Sequence, residues 1–119
     1  MKENMKSLVK KGRLSKKEER ALNKLIAELR ASWPGTIFKL FGSKAIGKFD
    51  EESDVDILIL LPCHVSKKIR EQIIDIIFEI NLKFGSNISP LIMSEKEWDS
   101  GFIPLLPIHQ YVEEEGVVL

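Results

Sequence analysis

Five consecutive apolar residues, Ile57-Leu58-Ile59-Leu60-Leu61, constrain this chain's fold more than any other stretch. A strand sends alternate side chains to opposite faces, so an unbroken run of this kind is apolar on both. Such a strand belongs inside a sheet that is covered on two sides, as in α/β architecture. Pro62 follows at once and ends it, because proline brings no amide hydrogen to a ladder.

Two acids stand at the mouth of this run, Asp54 and Asp56, with Val55 between them. Residues i and i+2 of a strand share a face, which places the carboxylates about 6–7 Å apart along the chain. Like charges so close repel, and one pKa rises unless a cation sits between them. A hard divalent metal held through oxygen and shared with substrate phosphates answers that repulsion, and Mg²⁺ fits best. Asp54 and Asp56 are therefore candidate metal ligands and catalytic groups for phosphoryl or nucleotidyl transfer.

The flanking sequence supplies the remaining elements. Ser15-Lys16-Lys17-Glu18 is a capping box, and Ala21, Leu22, Leu25, Ile26 and Leu29 then recur at helical spacing to about residue 31. Trp33-Pro34-Gly35 breaks the helix. Residues 36–41 read as a first strand, ended by Gly42. Residues 43–53 form a turn, with a short helical piece through Ser43–Ile46. The apolar run is the second strand. Ser66 caps a long helix to about Phe84, stopped by Gly85. Residues 88–93 read as a third strand. Ser94-Glu95-Lys96-Glu97 is a second capping box, and Pro104 or Pro107 opens a last helix to Glu115. The order predicts an α/β (α+β) fold, a small mixed sheet with helices packed mainly on one face. Residues 15–119 make one domain, preceded by a flexible, loosely docked basic arm over residues 1–14.

With 119 residues, 44% of them apolar, the chain can bury a core, and no apolar run approaches the roughly 20 residues of a membrane span. The basic start lacks the apolar stretch and cleavage site of a secretory signal. Cys63 is the single cysteine, so no internal disulfide forms, which fits the cytoplasm. Net charge is zero but uneven: residues 1–20 carry eight Lys/Arg against three Glu, and residues 95–119 carry six Asp/Glu against Lys96. These ends read as solvated surfaces, or as docking patches for a partner or a second copy. No basic stripe interleaved with aromatics is present, so nucleic acid is not indicated as a partner.

Gly42-Ser43, ten intervening residues, then Asp54-Val55-Asp56 resembles the signature of the DNA polymerase β-like nucleotidyltransferase superfamily, and the size and layout are similar to its minimal nucleotidyltransferase family. The resemblance covers about residues 15–93. Lys44-Ala45-Ile46-Gly47 stands where many members have a small basic stretch. It implies that Gly42, Ser43 and Lys44 cradle the triphosphate of an NTP, with ATP the expected donor of AMP. Asp54 and Asp56 then hold Mg²⁺. A small helical protein partner of the HEPN type is implied too, with the nucleotidyltransferase acting as antitoxin. Glycine permits close phosphate approach, and a serine with following N–H groups donates to phosphate oxygens.

One departure stands out. Active members carry a third carboxylate on the strand after the long helix, and here that strand reads Asn87-Ile88-Ser89-Pro90-Leu91-Ile92-Met93. Glu95 and Glu97 come later and read as residues of the second capping box. The resemblance thus leaves two readings, an active nucleotidyltransferase and a catalytically impaired subunit that binds nucleotide or partner. Cys63-His64 has no second Cys/His cluster to complete a zinc site, and no Walker-type or Gly-x-Ser-x-Gly stretch is present. His109 and Tyr111 read as packing or surface groups, and Trp33 and Trp98 as anchors between helices and sheet.

Overall fold

The apolar run becomes β2 (Val55–Leu61), an inner strand of a four-stranded sheet in the order β3-β2-β1-β4. The computed structural model describes residues 3–48, 50 and 53–119, so part of the turn expected over 43–53 and the first two residues of the arm lie outside the described residues. β1 (Ile37–Phe41) pairs antiparallel with β2, from Ile37 opposite Leu60 to Phe41 opposite Asp56. β3 (Ile88–Ser94) runs parallel to β2, as the long crossover helix between them requires. β4 (Val117–Val118) adds an antiparallel edge beside Lys39 and Leu40.

Alternation along β2 divides the interior. Val55, Ile57, Ile59 and Leu61 meet the apolar faces of two long helices, α2 (Lys16–Ser32) and α4 (Lys67–Phe84). Leu22, Leu25 and Leu29 from α2 and Ile73, Ile77 and Ile80 from α4 fill that layer. Leu58 and Leu60 point the other way, into a thinner layer with Trp98 and Val112. That layer is carried by α5 (Glu95–Trp98), a 3₁₀ turn over Ile103–Leu105 and α6 (Pro107–Glu115). Both long helices thus share one face, and β2 is buried on two sides as its sequence demands.

The caps form as the spacing predicts. Ser15 Oγ accepts the Glu18 amide at 3.0 Å while Glu18 accepts the Ser15 amide at 2.9 Å. Ser94 and Glu97 repeat the reciprocal box at α5, Ser66 caps α4 by accepting the Ile69 amide alone, and Pro107, rather than Pro104, opens α6. The N-terminal segment departs from expectation. Instead of a loosely docked arm, its described part forms α1 (Met5–Lys10), capped by Asn4, and its Leu8 is fully buried in the core alongside Leu14. Leu8 and Leu14, with Met5 and Val9 packed beside them, dock it on the core, and Arg13 ties it to the Ala45 carbonyl.

Candidate active site

The two acids meet at one end of the sheet because three chain segments converge there. β1 finishes at Phe41, opposite Asp56, and Gly42 turns the chain away into α3 (Ser43–Ile46). Gly42 has φ 79° and ψ −162°, a combination that residues with a Cβ rarely hold. The close packing explains the glycine further. A Cβ at this position would lie 3.0 Å from Asp56 Cγ and would overlap the carboxylate itself. Gly42 backbone and Asp56 side chain are thus in direct contact, with thirteen residues between them in sequence. Ser43 follows as the first residue of α3, half-buried, where the opening N–H groups of a helix have no acceptor within it.

Asp54 is exposed at the tip and Asp56 is half-buried beneath it. The Asp56 carboxyl is raised above its ordinary range, first by desolvation and then by the charge of Asp54. This pair therefore has the property anticipated for a cation site: two oxygen-donor groups whose repulsion an ion would relieve. The donor set suits a hard divalent metal.

β3 decides what surrounds the pair. The Val55 amide donates to the Asn87 carbonyl at 2.9 Å, which draws Asn87 alongside Asp54. The Asn87 side-chain amide donates to Asp54 Oδ1, and Ser89 is the register partner of Asp56. An amide and a hydroxyl thus flank the two acids, where the resemblance calls for a third carboxylate. Glu95 lies six residues beyond Ser89, about 20 Å along the strand direction, at the opposite end of the sheet. Glu97 is engaged in capping Ser94. Glu113 shares the sheet face of Asp56 but accepts from Trp98 Nε1 at 2.7 Å and pairs with Lys39 at 3.4 Å. Among the described residues no group of three metal-ligating side chains forms.

Lys44 takes a different place from the one its neighbours suggest. It is only 3% exposed, and its ammonium lies 2.6 Å from Glu18 on α2. Its ammonium ties α3 to the long helix. Arg13 adds a second tie that local sequence could not announce. Its guanidinium donates to the Ala45 carbonyl at 2.7 Å and pairs with Glu3. Thirty-two residues separate Arg13 from Ala45, and nothing in a basic N-terminal run distinguishes this arginine from its solvated neighbours.

The tempting groups elsewhere stay apart from this site. Cys63 and His64 are exposed in the loop after β2. His109 stacks on Trp98, with ring centroids 4.5 Å apart, and Trp33 packs on the main core. These are packing roles.

The nucleotidyltransferase domain family matches residues 22–115, spanning both acids and most of the fold. The chain belongs to that family. Among its relatives is MJ0604 of Methanocaldococcus jannaschii, named a candidate protein adenylyltransferase, 36% identical over 104 residues that cover 86% of this chain and 97% of the relative. MJ0141 of the same organism bears the same designation and is 49% identical over 53 residues, covering 44% of this chain and 54% of its own length. Two solved structures share the nucleotidyltransferase fold. One is a toxin–antitoxin with AMP-PNP, with TM-score 0.56 and 22% identity, covering 81% of this chain and 69% of the other. The other is a mutant of the toxin–antitoxin MntA–HpeT, with TM-score 0.55 and 22% identity, covering 82% and 70%.

Proposed function

We propose that this chain is a metal-dependent nucleotidyltransferase that moves AMP from ATP to a hydroxyl group of a protein partner, the hydroxyl oxygen bonding to the α-phosphorus as pyrophosphate leaves. The observation that carries the proposal is the acidic pair at the start of β2, Asp54 above a half-desolvated Asp56, with Gly42 packed against the second carboxylate. Mg²⁺ is the ion this donor set suits, and when bound it supplies charge neutralisation for the phosphates during in-line displacement.

The chain's own groups would do the rest by position. Gly42, without a Cβ, lets the Asp56 carboxylate sit against the backbone where the chain enters α3. Ser43 Oγ and the first N–H groups of α3 donate to phosphate oxygens. Lys44 serves the triphosphate through α3, which its bond to Glu18 holds in place. Asn87 orients Asp54 through its amide, and the β1–β2 ladder orients Asp56. Catalysis by such a site is mainly positioning and electrostatics. The names of the relatives support AMP and a protein acceptor, and the solved toxin–antitoxin neighbours, one of them with AMP-PNP, support an NTP and a protein partner; the HEPN type of that partner and the antitoxin role follow from the family resemblance. A single exposed cysteine suits a cytoplasmic setting.

A second reading is favoured by one observation, the amide and hydroxyl of Asn87 and Ser89 beside the acids. It is a subunit that binds nucleotide and partner with transfer impaired. Incubation of wild type and Asp54→Asn/Asp56→Asn with Mg²⁺ and ATP labelled at the α- or γ-phosphate, in a lysate of host cells, separates the two. A protein band labelled from α but not γ, and lost with the double variant, is expected for transfer. ATP binding without any α-label would leave the binding subunit.

A further inference from the structure

Helix α3 is a single turn of four residues, set between two glycines that each take a distant side chain against the backbone. At its start the Asp56 carboxylate lies on Gly42. At its end Arg13 lies on Gly47, where an added Cβ would stand 3.3 Å from the guanidinium Nε and 3.7 Å from Cζ. One turn does not hold itself, because fixing its dihedrals costs more than so few internal hydrogen bonds return. Its last carbonyls also need partners from outside the helix. Arg13 Nη1 supplies one, donating to the Ala45 carbonyl at 2.7 Å. Arg13 is itself held firmly. Its amide donates to the Leu8 carbonyl at 2.9 Å, and the next residue, Leu14, is buried in the core. Nη1 also donates to Glu3 Oε1 at 3.1 Å, and that oxygen accepts from Lys11 Nζ at 2.7 Å.

We infer that Arg13 is a positioning residue of the nucleotide site. Through the Ala45 carbonyl and the Gly47 backbone it fixes α3, and with α3 it fixes Ser43 and the Gly42 backbone on which Asp56 rests. This role rests on the nucleotidyltransferase reading and brings the N-terminal segment into the site without contact to substrate. Two ties from different elements then hold the turn. Lys44 joins it to α2 through Glu18 at 2.6 Å, and Arg13 joins its end to the segment that α1 anchors. A group placed within a fraction of an ångström by such ties loses affinity for its ligand when one is cut, even where the fold survives.

The test titrates Mg²⁺-ATP into the full chain as wild type, Arg13→Met, Arg13→Lys and Ile77→Val, with a urea melt of each. Arg13→Met keeps much of the side chain's length and loses its donors. Its ATP affinity should fall about 10-fold, the scale of one lost hydrogen bond from a charged group, and the amide resonances of residues 42–47 should shift. Arg13→Lys keeps the charge and one donor for the Ala45 carbonyl, and should recover most of the affinity. Ile77→Val trims the core under α4. It should lower the urea midpoint and leave ATP affinity unchanged, because lost stability in a chain that is still folded leaves the binding-competent fraction near one. Wild-type affinity in Arg13→Met, an equal loss in Ile77→Val, or a loss in Arg13→Lys as large as in Arg13→Met would each overturn the role of Arg13 while the nucleotide reading stands. No ATP binding by wild type would instead remove that reading, and the role of Arg13 with it.

Discussion

Replacing Gly42 with alanine adds one methyl group where β1 turns away from Asp56, and two separate costs follow. The backbone at φ 79° and ψ −162° lies in a region that residues with a Cβ enter at about 1–3 kcal/mol. The methyl must also take space that Asp56 fills, at 3.0 Å from its Cγ and 3.2 Å from its Cβ. Forcing a group into such a packed position costs about 1–3 kcal/mol more, for a central total of about 4 kcal/mol. Gly12→Ala isolates the first term, because Gly12 has φ 75° with nothing within 4 Å of an added Cβ. Its expected cost is about 1–2 kcal/mol. In urea melts Gly42→Ala should therefore lose about 2–3 kcal/mol more than Gly12→Ala, with the slope of the transition unchanged. Displacing Asp56 should also weaken Mg²⁺-dependent ATP binding in Gly42→Ala alone. Equal urea midpoints for the two variants, with ATP affinity intact in both, would refute the contact on which the site is built.

Three further outcomes follow from particular residues. Asp56 has a raised folded pKa, so between its ordinary value of 3.8 and that raised value the folded state binds more protons than the unfolded. Stability of the metal-free protein from this group therefore falls as pH rises through that window, and Asp56→Asn should melt higher than wild type at pH 7 without metal while losing metal binding. Leu8→Ala should cost about 2–5 kcal/mol in a chemical melt, because Leu8 is fully buried; an unchanged midpoint would return α1 to the status of a loose arm. Ser89→Asp puts a carboxylate beside Asp56 in register, and the rate of AMP transfer should rise toward the roughly 100-fold that a positioned general base supplies; an unchanged rate at saturating Mg²⁺ would contradict Ser89 as the seat of the missing acid.

Much of this architecture is legible in the chain because its strong signals are local. The run Ile57–Leu61 demands an inner strand, Ser15–Glu18 and Ser94–Glu97 announce helix starts, and Gly85 ends α4 in a left-handed turn. The acidic pair is legible for the same reason, since strand alternation alone puts Asp54 and Asp56 on one face. Three features were not. Helix α1 is six residues long and has one fully buried leucine, too little for a period to register. Strand β4 has two residues, and its pairing with Lys39 and Leu40 is set by the end of α6. Lys44 sits where a triphosphate cation is expected, yet burial and a carboxylate 26 residues away claim its ammonium. Each of these rests on contacts between distant segments, which local spacing does not encode.

The central claim is that Asp54 and Asp56 form one cation-dependent nucleotide site against Gly42. Isothermal titration of ATP into wild type and Asp54→Asn/Asp56→Asn, each with Mg²⁺ and with EDTA, tests it most directly. Binding that requires Mg²⁺ in wild type and disappears in the double variant is the predicted result. Binding of equal strength in EDTA, or undiminished in the variant, would contradict it.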